Sequence, residues 1–592
     1  MRIAPQAGVL AGLHRSYVFA AAATVIVLLG LVPEFVGLLH QDQSWYLQAA
    51  GRLLDGVRPY VDQFIEMNPP LIMWLNVVPA AIARALELSP VMVFRLSVVV
   101  LALVSVRLCQ PLLAQLLGPE QRVLLRYWTL LLLFALFPLP GGDFGQREHL
   151  LFALVFPYVL LAVCRVEGKP VGSWTAFMIG VMAGVGLALK PFFFAFWLLL
   201  EGWIILKAGR RVLEWHAERL AVITTSAVYL IAVALWTPEY FDLVRLLSGW
   251  QRTYLHKSLL QLTMFRVEAW LTLGSVLALI AVWRAVRLRS LWTALALGAV
   301  GCLWSAVLQG KGFSYHYYPS VAFVLVLLGG LAADITGPLS ISRRRLSVAA
   351  LGAGVITMAA STIVASFIRL RDGLHWRRTE LGQVIAFVRD HGASHRVFLL
   401  NSGLRESVIA TYSGAQPVSR LMHLGLLNSA YQEAIQSPSP LQYHRPQDMA
   451  AIERYVLRTV VADFQRNQPL LLLVRGPGPD QPDDPTPVLF ERWGRFDYVA
   501  YFSRDSSFAQ LFRRYTYIGT IGHYHAYRRL REGEARVPPP ARAAAGAAPR
   551  ETSWSDLLLG PANRSLLLFL ISFCVVAGRV GRKPERRAHD DS

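Results

Sequence analysis

Apolar runs long enough to cross a bilayer recur along this chain, and they constrain its fold more than any other feature. They lie near residues 17–39, 91–113, 123–140, 149–164, 174–189, 192–206, 219–237, 267–283, 290–308, 317–333, 346–367 and 565–578. A hydrocarbon core of about 30 Å takes roughly 17–25 helical residues, and lipid satisfies no backbone hydrogen bond, so such runs fold as helices. With 54% hydrophobic and 16% charged residues and a mean hydropathy of +0.42, the 592 residues cannot hide their apolar surface in one soluble core. The expectation is a polytopic α-helical membrane protein with about 12 transmembrane helices. Residues 69–88 are apolar but carry Pro79 and Arg84, and read as an interfacial amphipathic helix instead of a crossing. The first run has spanning length and no small-residue cleavage site, so a removable signal peptide is not expected.

Charge supplies the sidedness. Short cytoplasmic loops hold the excess of Lys and Arg, and one threading puts every basic cluster on that side: Arg2 and Arg15, Arg122 and Arg126, Arg165 and Lys169, Lys207 to Arg211, Arg284 to Arg289, Arg343 to Arg345, and Arg579 to Arg587. These loops and anionic lipid headgroups account for the net charge of +20, and no nucleic-acid partner is expected. The four cysteines fall in or beside apolar runs, which indicates neither a disulfide framework nor a zinc site. The expected organisation is a membrane core over 1–368 with an outer loop at 40–90, a soluble extracytoplasmic α/β domain over 369–536, a flexible linker over 537–564, and a last helix with a basic cytoplasmic tail over 565–592. In the soluble part, 396–401 and 469–474 read as short buried strands and 448–467 as a helix. The expected location is the inner (plasma) membrane, with both termini cytoplasmic.

The outer face collects the residues that could carry chemistry. The loop after the first helix holds Asp42, Asp55, Asp62 and Glu66. A carboxylate beside low-dielectric surroundings can have its pKa raised toward working pH, which suits proton abstraction; Asp42 and Glu66 are the catalytic candidates, Asp55 and Asp62 turn and capping residues. The segment GGDFGQREH supplies Asp143, Arg147, Glu148 and His149. Either Asp143 or Glu148 is a second acidic candidate. Asp143, Glu148 and His149 also leave room for a divalent metal without requiring one. Lys190, Lys311 and His316 stand at apolar boundaries, where a cation is expensive unless it has a partner or a task. With Arg147 they are candidates for holding a phosphate. Trp45, Tyr46, Tyr315 and Tyr317 are candidates for lining a sugar or acceptor.

The order D-x-x-W-Y (Asp42, Trp45, Tyr46), then Gly56, Pro59, Tyr60 and Asp62, then Glu66, Pro69, Pro70 and Leu71 resembles the first outer loop of GT-C glycosyltransferases. These enzymes use polyprenyl-phosphate sugars and include protein O-mannosyltransferases and the lipid A aminoarabinose transferase. In layout the resemblance covers about residues 15–335, and it departs at Met67 and Asn68, where many relatives carry a basic residue. It implies an inverting transfer of a sugar from a polyprenyl-phosphate donor to an acceptor hydroxyl on a lipid, glycan or protein, with Asp42 and Glu66 as the matching acids. A glycan ligase or polymerase of similar fold, or a lipid or solute transporter, is the alternative.

Overall fold

The computed structural model describes residues 6–118, 121–208, 216–251, 256–335, 341–392, 396–402, 406–427, 430–431, 441–476 and 496–538. Its first part is helical: α1 (Gln6–Val36), α2 (Gln41–Leu53), α3 (Leu71–Ala85), α4 (Pro90–Leu117), α5 (Arg122–Leu136), α6 (Arg147–Val166), α7 (Ser173–Ala188), α8 (Phe194–Ala208), α9 (Ala217–Trp236), α10 (Glu239–Gln251), α11 (Leu259–Thr263), α12 (Val267–Val282), α13 (Arg289–Leu308), α14 (Ser314–Asp334) and α15 (Ile341–His375). Seven of the described helices are long and apolar enough to cross a membrane. Helices α6 and α14 are buried along almost their whole length, as expected of helices that are hydrophobic all round and stand in the middle of a bundle. Small residues let neighbours approach: a Cβ on Gly180 of α7 would meet the backbone oxygen of Glu218 in α9 at 2.3 Å. The apolar run at 565–578 and most of the expected linker lie outside the described residues.

The stretch after α1, read from sequence as an outer loop with a helix over 69–88, contains that helix and a further one before it. It forms α2, a turn braced by a Pro59–Gln63 bridge, and α3. At 15 residues, α3 is about 22 Å long, short of the hydrocarbon thickness. Arg95 of α4 fixes where α1 ends, donating to the Gly37 carbonyl at 2.8 Å and pairing with Glu34 at 3.4 Å. A cation at a helix C-terminus satisfies its last carbonyls, and here it sets the direction in which α2 departs.

Beyond α15 follow α16 (Glu380–Gly392), β1 (Arg396–Leu400), α17 (Glu406–Ser413), β2 (Gln416–Pro417), α18 (Ala451–Asn467), β3 (Leu471–Arg475), α19 (Tyr498–Phe502), α20 (Ser506–Phe512), β4 (Tyr515–Ile521) and β5 (Tyr524–Arg529). The strands form one sheet in the order β2-β1-β3-β5-β4. β2, β1 and β3 are parallel, with Val397 opposite Leu471, while β5 runs antiparallel to both β3 and β4. This unit sits on α2. Gln48 donates to the Ser407 carbonyl and the Thr411 hydroxyl, and Leu39 N–H donates to the Tyr412 hydroxyl at 2.9 Å.

Candidate active site

The site is built around the first turn of α2. His40 caps that helix: its Nδ1 accepts from Asp42 N–H at 3.3 Å, and Gln43 reaches back to His40 N–H at 3.0 Å. This reciprocal capping box leaves Asp42 in the first helical turn, where the helix dipole favours negative charge. The segment before α6 is sewn to the same turn, because Gln43 donates to the Phe144 carbonyl and Gln146 to His40 Nδ1 at 2.6 Å. Gly145, at φ 86°, permits the close turn, since a Cβ there would strike Phe94 at 2.8 Å.

Asp42 and Arg147 therefore meet, Arg147 Nη2 donating to Asp42 Oδ2 at 3.2 Å. The Arg147 guanidinium lies 5.1 Å from the centre of the Tyr46 ring, within cation–π range. It is buried, and its Nε and Nη1 have no hydrogen-bond partner among the described residues. Next along α6, Glu148 is wholly buried and accepts from Lys190 Nζ at 2.5 Å. Lys190 also donates to Gln309 Oε1 at 2.8 Å and lies 5.5 Å from the Tyr315 ring centre. His316 Nε2 stands 3.9 Å from Glu148 Oε1. Burial drives the Lys190 pKa down, with Arg147 adding to the effect and Glu148 opposing it, to about 8. Glu66 accepts from both Asn68 nitrogens, at 3.0 and 2.7 Å, and burial raises its pKa against the pull of Arg147 and those bonds.

Asp143 is half-buried beside this cluster, and desolvation together with Glu148 and Asp42 lifts its pKa to about 7. It borders an apolar groove of about 390 Å³ between α12, α14 and α15, whose walls include Leu139, Leu271, Tyr318, Val321 and Met358 and which Glu268 also edges. Lys311 is buried in the turn before α14, and burial lowers its pKa to about 8.

The arrangement brings together Asp42, Arg147, Glu148, Lys190, His316, Tyr46 and Tyr315, with Glu66 alongside. It does not bring together three other expectations. Trp45 is 1% exposed and packs edge-on to Phe64 at 4.7 Å, so no ring face is open to a sugar. Tyr317 is fully buried, donating to the Leu262 carbonyl at 2.9 Å beneath the Arg266 guanidinium. The trio Asp143, Glu148 and His149 is no metal site: both ring nitrogens of His149 are used, Nδ1 by Gly145 N–H and Nε2 by the Leu136 carbonyl, and Glu148 turns to Lys190. No group of three His, Cys, Asp or Glu able to hold a metal occurs among the described residues. Asp55 pairs with Arg84 and Arg52, and Asp62 accepts from Arg58 N–H in its turn. Sequence reasoning missed Gln309, His40 and Gln146. Signals lay close by: Gln146 falls within GGDFGQREH, His40 opens the loop that carries Asp42, and Gln309 stands two residues before Lys311.

No protein-family model and no curated protein matches the chain. Solved structures do. ArnT from Cupriavidus metallidurans bound to undecaprenyl phosphate superposes with a TM-score of 0.53 at 13% identity, over 89% of this chain and 99% of that one. This chain has the ArnT fold. ArnT in the apo state matches with a TM-score of 0.51 at 14% identity, over 87% of this chain and 98% of its own. The shared architecture spans both the helical bundle and the sheet-bearing part, since the match covers nearly the full length of either ArnT chain.

Proposed function

We propose that the chain is an inverting membrane glycosyltransferase that moves a sugar from a polyprenyl-phosphate donor to an acceptor hydroxyl at the outer membrane face. In this reading the bundle crosses the inner membrane about twelve times, with both termini cytoplasmic and residues 369–536 as an extracytoplasmic domain. The ArnT fold supports a lipid-linked donor, one of the two ArnT structures being bound to undecaprenyl phosphate.

The observation that carries the reading is Arg147. It spends one nitrogen on Asp42 and keeps two buried nitrogens without a described partner, beside the Lys190–Glu148 pair. A buried polar group left unpaired costs roughly 1–3 kcal/mol, more when charged, so a retained orphan fork marks a place for an anion. A guanidinium presents donors in the geometry of phosphate oxygens. An acid beside convergent cations is what displacement of a lipid phosphate requires.

Asp42 takes the proton of the acceptor hydroxyl. The acceptor oxygen bonds to the anomeric carbon on the face opposite the phosphate, and the bond from that carbon to the phosphate oxygen breaks. Its electron pair leaves with the polyprenyl phosphate, whose growing charge Arg147 and Lys190 stabilise, with His316 and Lys311 farther along. The proton on Asp42 then passes to solvent. Glu148 holds Lys190 in place, Glu66 braces Asn68 and the Arg147 side of the site, and Tyr46 and Tyr315 form the aromatic walls. The groove edged by Asp143 fits part of the donor's apolar chain.

The test is transfer of label from polyprenyl-phosphate sugars to membrane acceptors by the reconstituted full chain. The expected result is transfer by wild type and its near loss in Asp42→Asn. A folded Asp42→Asn protein with full activity overturns the role of Asp42. Flux of lipid or solute with no glycosidic product replaces the reading by transport.

A further inference from the structure

The sheet-bearing part does more than rest on the bundle. After β2 the chain runs as a strap, residues 418–427, against the two acid-bearing segments. Ile65 N–H donates to the Arg420 carbonyl at 2.7 Å, and an isolated parallel bridge pairs Ile65 with Leu421. Gln41 donates to Met422 Sδ at 3.6 Å, while Ser407 of α17 donates to the Gln41 carbonyl at 2.9 Å. Each contact falls on the residue just before one of the two acids, Asp42 or Glu66. The strap is thus seated on the backbone that carries both acids, in addition to the packing of α17 on α2.

His423 lies in the middle of this strap. Its Nδ1 accepts from Gly425 N–H at 2.9 Å, which leaves Nε2 to carry the proton of a neutral ring. Burial pulls its pKa down to about 4, and Asp42 pulls the other way. His316, by contrast, stands by the Lys190–Glu148 pair. The two imidazoles thus come from different elements, His316 from α14 beside the Lys190–Glu148 pair and His423 from the strap whose neighbour Met422 meets Gln41.

We propose that the strap is the acceptor-side wall of the site and that His423, through its Nε2–H, is a positioning residue for the acceptor hydroxyl. A neutral N–H donor beside a base takes one lone pair of the attacking oxygen while Asp42 takes its proton, which fixes the direction of the remaining lone pair. The inference rests on the glycosyltransferase reading and extends it to the sheet-bearing part, which becomes a contributor to acceptor choice.

Three substitutions separate positioning from support. His423→Gln keeps an N–H near the Nε2 position. His423→Asn keeps an acceptor near Nδ1 for Gly425 but offers no donor at Nε2. His423→Ala removes both. Undecaprenyl phosphate binding, measured on each reconstituted full chain, reports a folded donor side. Expected are unchanged undecaprenyl phosphate binding throughout, a loss of kcat of about 10- to 100-fold in the Ala and Asn variants with donor KM within about twofold, and recovery to within about threefold in the Gln variant. Rescue by Asn and not Gln makes His423 a support for the Gly425 turn and overturns the inference, as does an Ala variant with wild-type kcat. Loss of undecaprenyl phosphate binding in all three variants also overturns it, by making the strap a folding element. If wild type transfers from no polyprenyl-phosphate sugar, the functional reading falls and this inference with it.

Discussion

The two ends of α6 carry the same kind of group in opposite condition. At its C-terminal end Arg165 grips Glu218 of α9 with a two-pronged fork, Nε at 2.9 Å and Nη2 at 3.1 Å. A cation there also complements the helix dipole. At its N-terminal end Arg147 meets Asp42 through one nitrogen at 3.2 Å, leaves two without a described partner, and works against the dipole. Arg165 is what a structural ion pair looks like when geometry is free to satisfy it. Arg147 carries a cost that packing alone has no reason to keep, and on that difference rests our proposal that this end of the helix is the functional one.

The contrast can be broken most directly at Asp42. Asp42→Asn should lower transfer by about 10³-fold, in the range of lost general-base catalysis, with thermal unfolding unchanged. Arg147→Lys should lower transfer by about 10²-fold, because a point charge cannot replace the fork; a variant within twofold of wild type would make Arg147 as structural as Arg165. Arg165→Ala should do the reverse. It leaves Glu218 buried without its partner and should cost about 3 kcal/mol in denaturant unfolding, with specific activity unchanged.

A pH profile sharpens the same distinction through Lys190. Its folded pKa, about 8, lies below the ordinary 10.5. Over that interval the unfolded chain binds more protons than the native one, so stability should rise with pH. Transfer should move the other way, kcat/KM for the donor falling about tenfold per pH unit above 8 as the cation is lost. Parallel melting and rate profiles check both signs. The smallest effect is expected at Glu66. Burial favours its protonated form, and its Oε1 already accepts from Asn68 as a Gln oxygen would, so Glu66→Gln should change kcat/KM by no more than about threefold.

Much of the molecule could be read without coordinates, and the reason differs by feature. Hydropathy is a local property, so the apolar runs were legible one at a time. Asp42 and Glu66 could be named as candidates because acidic residues between membrane helices demand an explanation, and because the residues around them resemble a known loop; the bonds of Glu66 to Asn68 move it, in our proposal, from catalysis to support. Trp45 and Tyr317 were misread for the complementary reason. An aromatic in a polar segment looks the same in sequence whether it faces a ligand or packs on Phe64, and only burial separates the two. Lys190 was singled out, but its partners Glu148 and Gln309 lie 42 and 119 residues away, beyond any periodicity. The trio that left room for a metal does not form one site because His149 spends both nitrogens on backbone groups, a fact no spacing contains.

By itself the sequence determined that this chain is a polytopic membrane protein with its acids gathered near the helix ends, since the solvent preference of each segment is written in its own residues. Tertiary structure alone decided which charges meet. Arg147 faces Asp42 because Gln43, Gln146 and His40 tie the segment before α6 to the cap of α2, and Ile65 and Gln41 hold the strap that carries His423. Those ties join residues far apart in the chain, and such contacts exist only once the fold has closed.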